Sequence, residues 1–345
     1  TYLQIDSNGA LSSIDGMTML NSVGTYMDVS SNGAMTGIGG LNALATVGGA
    51  LTISSNAMLA SISGLSMLGS VSGTLQISSN AALNTISGFD ALTMVQPGNL
   101  QIYSNNNLTS IAGFSNLTYI AGSLELHDNA KLATLDAANG FEKLDSTNGA
   151  LAIYNNPLLT SIAGFTLLTD VNSSLSVYNN AGLLTMSGFP ALTDVLSDLN
   201  FTNNVSLQSI SGFGSLAAVG GSLFVRDSDV LTNFDGMDSL SNIGVDLVVT
   251  SNPVLASING LRSGTFTSLG NMYTVAGNPQ LSACAVNLLA TALSVSGTGR
   301  DLSGANSGCM TCAAEICSVG DGTTSGQSGT FTGSATPTNL ADLAW

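Results

Sequence analysis

Charge is what this sequence has least of. Only 8% of its 345 residues are Asp, Glu, Lys or Arg, against about a quarter in ordinary soluble domains. Cations are scarcest: Lys131, Lys143, Arg226, Arg262 and Arg300 stand against 21 carboxylates, for a net charge of −16. Phosphate binding needs clustered Lys and Arg, so nucleic acid and anionic membrane are disfavoured as partners. The one histidine, His127, gives little support to a metal site or a catalytic triad. No apolar run approaches the roughly 20 residues that cross a bilayer. Neither a signal peptide nor a lipid-anchor tail is expected, and Thr1 enters a repeat almost at once, which points to a processed or trimmed chain. No cofactor and no metal are implied.

What is abundant is repetition. From Leu3 a 24-residue unit reads Leu-x-Ile-x-x-Asn-x-x-Leu-x-x-Ile-x-Gly-Leu/Phe-x-x-Leu-x-x-Val, and its first apolar position returns at Met27, Leu51, Leu75, Leu100, Leu124, Leu151, Leu175, Leu199, Leu223, Leu247 and Tyr273. Self-similarity at this period is the mark of a solenoid, in which a coil buries its apolar side only by stacking on its neighbours. Within Leu-x-Ile the apolar residues alternate with polar ones, as in a short strand with one face buried. The expected fold is therefore all-β, about 12 coils of 24 residues over 1–283. A cap over 284–320 and a Gly/Ser/Thr-rich tail over 321–345 follow.

Three residues after the second strand apolar stands an asparagine: Asn8, Asn32, Asn56, Asn80, Asn105, Asn129, Asn156, Asn180, Asn204, Asn252 and Asn278, with Ser228 the one break in the tenth coil. An amide at that corner can hydrogen-bond turn groups of its own and adjacent coils, so the column reads as structural. The apolar columns beginning at Leu11 and Ile14 read as core. The glycines Gly16, Gly40, Gly64, Gly88, Gly113, Gly164, Gly188, Gly212, Gly236 and Gly260 imply either positive φ or close backbone approach. Coil six carries three extra residues between Asp136 and Gly149 and coil eleven is lengthened around Arg262 to Phe266, both expected as protruding loops. Ala285 to Leu293 reads as a short capping helix. Within the tail, Gly329-Thr-Phe-Thr-Gly alternates like a strand able to pair with another chain's edge.

The Leu-x-Ile-x-x-Asn core resembles the leucine-rich repeat. The step of three from asparagine to leucine, with phrases such as Leu108-Thr-Ser-Ile-Ala-Gly-Phe-Ser-Asn-Leu and Ile120-Ala-Gly-Ser-Leu-Glu-Leu, is more similar to receptor L-domain repeats. Those occur in ectodomains of insulin and growth-factor receptors, in fungal cell-wall proteins and in secreted microbial proteins. The resemblance covers about residues 1–283, and the cysteine-bearing cap is similar to an end-module of the microbial members. It implies a right-handed parallel β-helix outside the cell, with no catalytic residue to carry over.

Several constellations stand out. Cys284, Cys309, Cys312 and Cys317 lie together at the end of the repeats. Four thiols can hold zinc, whereas in a secreted solenoid disulfides stapling a weak cap are favoured. Of the three pairings, Cys284 with Cys309 and Cys312 with Cys317 would tie the cap helix to the closing loop. Directly after the second strand apolar, an outward column runs through Tyr103, His127, Tyr154 and Tyr178, whose rings would sit about 4.8 Å apart along the stack. Such a stripe could stack on sugars or on a neighbouring subunit, or simply stabilise its own sheet. Sequons at Asn107, Asn116, Asn172 and Asn200 are open to N-glycosylation, while Asn204 belongs to the inward column and should stay bare.

The expected function is that of an extracellular, non-enzymatic structural protein, a self-assembling homo-polymer in a surface layer or filament. Low charge, a first coil without a polar cap and the strand-like tail suggest head-to-tail growth. The alternative is a monomeric adhesin or carbohydrate-binding module using the aromatic stripe. Ice binding is disfavoured by the mixed outward column Gln4, Asp28, Thr52, Gln76, Gln101. Scattered carboxylates disfavour the acid/base pairs of a polysaccharide-cleaving enzyme.

Overall fold

The protein is seen in a computed structural model that describes residues 1–136, 140–261 and 268–282 together with positions 285, 286 and 289. It is an all-β parallel solenoid of about eleven turns. Each coil opens on a four-residue strand, from Leu3–Asp6 in coil 1 through Leu100–Tyr103 in coil 5 to Tyr273–Ala276 in coil 12. These pair in chain order into one 12-stranded parallel sheet. Two-residue strands such as Ser70–Val71 form a second, 11-stranded sheet. A third side is broken into a three-stranded sheet ending at Ser110–Ile111 and a four-stranded one beginning at Thr134–Leu135. That break falls where coil 6 carries its extra residues.

Register explains why one sequence unit suffices. In the long sheet Leu3 pairs with Met27, Met27 with Leu51 and Leu51 with Leu75, so each column meets itself in the next coil. Both apolar positions of every strand point inward: Leu51, Ile53, Leu75, Ile77, Leu100 and Ile102 are all fully buried. A slip of one residue would turn all of them to water, which is why the register holds through every coil. Nothing in the sheet depends on long-range assembly beyond the next turn, as expected of a quasi-one-dimensional fold.

The glycine column lies where backbones come closest. A Cβ on Gly164 would stand 2.6 Å from the Asp136 carbonyl oxygen, and one on Gly64 would run into that of Ile38. Of the two reasons the column allowed, close approach is the operative one from Gly40 onward, while a Cβ on Gly16 in the first coil would meet nothing within 4 Å. Positive φ falls mainly elsewhere, on the residue just before each ladder asparagine or Ser228; the exception is Gly140, just before Phe141, with φ 90°. Ser7, Ser31, Ser55, Ser79, Ser104, Asp128, Asn155, Asn179, Asn203, Asp227 and Ser251 have φ between 54° and 60°, and Gly277 has 67°. Non-glycine residues adopt this left-handed conformation at some cost. Here it turns the chain so that the following asparagine points inward at the corner.

At the far end Val286 and Leu289 are buried and helical, and the Tyr273 hydroxyl donates to the Val286 carbonyl at 3.0 Å. The rest of the cap, its four cysteines, the expected loop around Arg262 to Phe266 and the tail lie outside the described residues.

Candidate functional site

The corner asparagines form a continuous internal ladder. Asn105 shows the pattern: its Oδ1 accepts the Asn80 backbone N–H at 3.1 Å, and its Nδ2 donates to Ile77 O at 2.9 Å and to Tyr103 O at 3.0 Å. Asn32, Asn56, Asn80, Asn129, Asn156, Asn180, Asn204, Asn252 and Asn278 are likewise fully buried, while Asn8 in the first coil is exposed and bonds forward to Asn32. Each side chain thus serves backbone groups that the corner hides from water. Ser228 keeps only half of this. Its N–H donates to Asn252 Oδ1 at 3.2 Å, but its hydroxyl turns to Arg226 O. It cannot offer Asn204 the acceptor that the next asparagine supplies elsewhere.

A second internal ladder is made of rings. Phe89, Phe114, Phe141, Phe165, Phe189 and Phe213 stack with centroids 5.0–5.6 Å apart and interplanar angles of 16° or less. All six are buried. Their spacing is the coil spacing, so ring stacking and strand pairing reinforce each other. The signal was present as the Gly-Phe dipeptide of the repeat.

On the outside of the long sheet, Tyr103, His127, Tyr154 and Tyr178 come together as a stack. Successive centroids are 4.8, 4.4 and 4.6 Å apart, with interplanar angles of 4°, 6° and 5°. Because parallel rings cover one another, the stripe presents ring edges and hydroxyls outward. The ring faces that no other ring covers are at its two ends, Tyr103 towards Ser78 and Tyr178 towards Thr202. Beside it runs a polar rail. His127 Nδ1 lies 2.7 Å from Asp128 Oδ2, Asn155 Nδ2 donates to Asp128 Oδ1, Asn179 to Asn155, and Asn203 to Asn179. The same residues hold the left-handed corner, so a turn requirement that favours Asn and Asp also built this rail.

Burial and nearby carboxylates keep the Tyr154 and Tyr178 phenols neutral. Burial, then the neighbouring Tyr178 hydroxyl and the carboxylates of Glu125 and Asp128, push the Tyr154 phenol from 10.0 to about 12. Burial and Asp128 raise Tyr178 as well. Both hydroxyls stay protonated at neutral pH, giving hydrogen-bond donors rather than nucleophiles. Two coils beyond Tyr178 the same column holds Arg226, its guanidinium 4.7 Å from the Phe224 ring centroid. Among the described residues, no three His, Cys, Asp or Glu side chains are placed to share a metal ion.

The sequons differ in access. Asn107 Nδ2 donates to Ala81 O and Asn116 Nδ2 to Asp90 O, both at 2.7 Å, while Lys143 Nζ donates to Asn116 Oδ1. Asn200 is half-buried and accepts the Thr202 hydroxyl; Asn172 is exposed, with its Nδ2 on Asn148 Oδ1. Asn204 is buried.

One polar series escaped the sequence reading. At the corner entering the long sheet, Asn99 Oδ1 accepts Ser123 N–H, Ser123 Oγ accepts Ala150 N–H, Asp198 Oδ1 accepts Ser222 N–H, and Ser222 Oγ accepts Asp246 N–H. Several residue types do the same work there, so no column of one letter marks it.

Among the described residues no helix is long and apolar enough to cross a membrane. Neither a curated protein nor a solved structure matches the chain. Receptor L domains, which are typically extracellular, supply the family resemblance: residues 69–161, spanning the end of coil 3 to the start of the third side in coil 7, match the Receptor L domain family model.

Proposed function

We propose that this chain is an extracellular, non-enzymatic structural protein, a stiff rod that assembles with copies of itself into a surface layer or filament. The observation that carries the reading is where the distinctive side chains go. Asparagine amides, phenylalanine rings and the Tyr103/His127/Tyr154/Tyr178 stack all bind the next coil, along an axis of about 50 Å, and so make the solenoid rigid. Low charge and a Receptor L domain match fit a protein that works by its surfaces outside the cell.

Sedimentation and negative-stain microscopy of the purified chain test this, with and without residues 321–345. Concentration-dependent particles larger than one chain are expected; a monomer at all concentrations in both forms overturns it. Carbohydrate recognition is the second reading, and the uncovered end faces of Tyr103 and Tyr178 favour it, since sugars stack on ring faces. Replacing Tyr103, His127, Tyr154 and Tyr178 by serine should abolish glycan-array binding if that reading is right.

A further inference from the structure

We propose that coils 2 to 5 carry the contact by which one copy of this chain docks beside another, through the third side of the solenoid where Met58 and Met67 project. The inference rests on the assembly reading above and names its surface. It starts from an uneven distribution of charge along the rod. From residue 29 to residue 124 the only charged side chain is Asp90. Coil 6, by contrast, holds Glu125, Asp128, Lys131, Asp136, Glu142, Lys143 and Asp145, and coil 10 holds Arg226, Asp227, Asp229, Asp235, Asp238 and Asp246.

For a molecule of net charge −16, a second copy meets like charge wherever carboxylates lie. Coils 2 to 5, where Asp28 and Asp90 are the only carboxylates, are the longest block of surface with so little of that repulsion. Coil 3 lies within the block, has no charged residue at all, and exposes Met58 at 56% and Met67 at 60%. The two methionines stand at the corners on either side of its short strand, Ser61–Ile62. Between them Ala60 and Ser63 are exposed, so the surface is low and uncharged with two flexible thioether rims. Methionine suits such a contact because it adapts its shape to the partner.

The magnitude can be bounded. Four coils at about 4.8 Å, across a side about 20 Å wide, give roughly 400 Å² per partner. A stable specific interface takes about 800 Å² per partner. The single contact is therefore weak, and it gains strength only when many copies line up and multivalency multiplies it. That is the behaviour wanted of a lateral contact in a layer.

The test is sedimentation equilibrium of the full chain from about 10 μM to 1 mM. Two double variants carry the same added charge: Met58→Glu with Met67→Glu, and Leu158→Glu with Leu167→Glu. The second pair occupies the same two columns in coil 7, with side chains 56% and 54% exposed. Circular dichroism verifies that both fold. The wild type should associate weakly, the methionine variant should weaken that association about tenfold or more, about 1.4 kcal/mol, and the leucine variant should match the wild type. Association unchanged in the methionine variant, or weakened equally in both, overturns the proposed surface while leaving self-assembly standing. A wild type that stays monomeric at 1 mM overturns both.

Discussion

Coil 5, opening at Leu100–Tyr103, and coil 10, opening at Leu223–Arg226, pair with their neighbours in the same register, yet differ in almost everything layered on it. Coil 5 has Asn105 at the corner, Phe114 in the inner stack, Tyr103 on the outer stripe and no charged side chain. Coil 10 has Ser228 at the corner, Met237 where the phenylalanine would stand, Arg226 on the stripe and six charged residues. Its third side makes only isolated bridges through Asn233. Inward volume is nonetheless kept: Phe234 takes the place of the usual isoleucine beside Met237, and both are fully buried. Backbone register and a filled interior are therefore sufficient for a coil, and the ladders are increments added to them.

The comparison can be broken most forcefully through the ring stack. Phe114→Ala should cost about 4 kcal/mol, a deep cavity between Phe89 and Phe141. Met237→Ala should cost clearly less in the same denaturant titration, and equal costs would show that stacking adds nothing beyond volume. Next comes the polar ladder. Asn105→Ala removes the acceptor of Asn80 N–H and the amide bonded to Ile77 O, two buried groups, and should cost about 3 kcal/mol. Ser228→Ala, which loses one part-buried hydroxyl contact, should cost under about 1 kcal/mol.

A smaller effect separates the aromatic stripe, which coil 5 begins and coil 10 lacks, by pH. Folding raises the Tyr154 phenol from 10.0 to about 12, so the fold favours its neutral form. That contribution is complete below pH 10 and is lost as pH climbs from 10 through 12. Melting temperature should fall less steeply over this window in Tyr154→Phe than in the wild type, and identical slopes would remove the stripe from the alkaline transition. Smallest of all, Ser228→Asn should restore the missing rung and stabilise the chain by about 1 kcal/mol. No gain in the unfolding midpoint would mean that the coil 10 backbone has moved too far for the amide to reach.

The columns show how much could be read from letters. Leu51 and Ile53 were legible as inward because strand alternation and the 24-residue period agree on the same residues. The asparagine column was legible because one side chain recurs without substitution in eleven coils. The corner served by Asn99, Ser123, Asp198 and Ser222 was not, because any short acceptor serves there and no single letter repeats. The glycine column left two physical explanations open, since sequence marks where a side chain is forbidden and not what forbids it. For the stripe, only the spacing was legible. That the rings turn their faces to one another, leaving edges outward, follows from χ angles that the neighbouring coil selects.

What the sequence settled by itself was the period, the number of coils and which residues are inside, because burial in a solenoid is a local rule repeated each turn. Tertiary structure decided the rest: which residues carry the left-handed corner, which carbonyl forbids a Cβ, which hydroxyl serves which amide, and which ring faces remain uncovered. Those depend on distances between residues about 24 apart in the chain and one coil apart in space, and only the stacked backbone sets them.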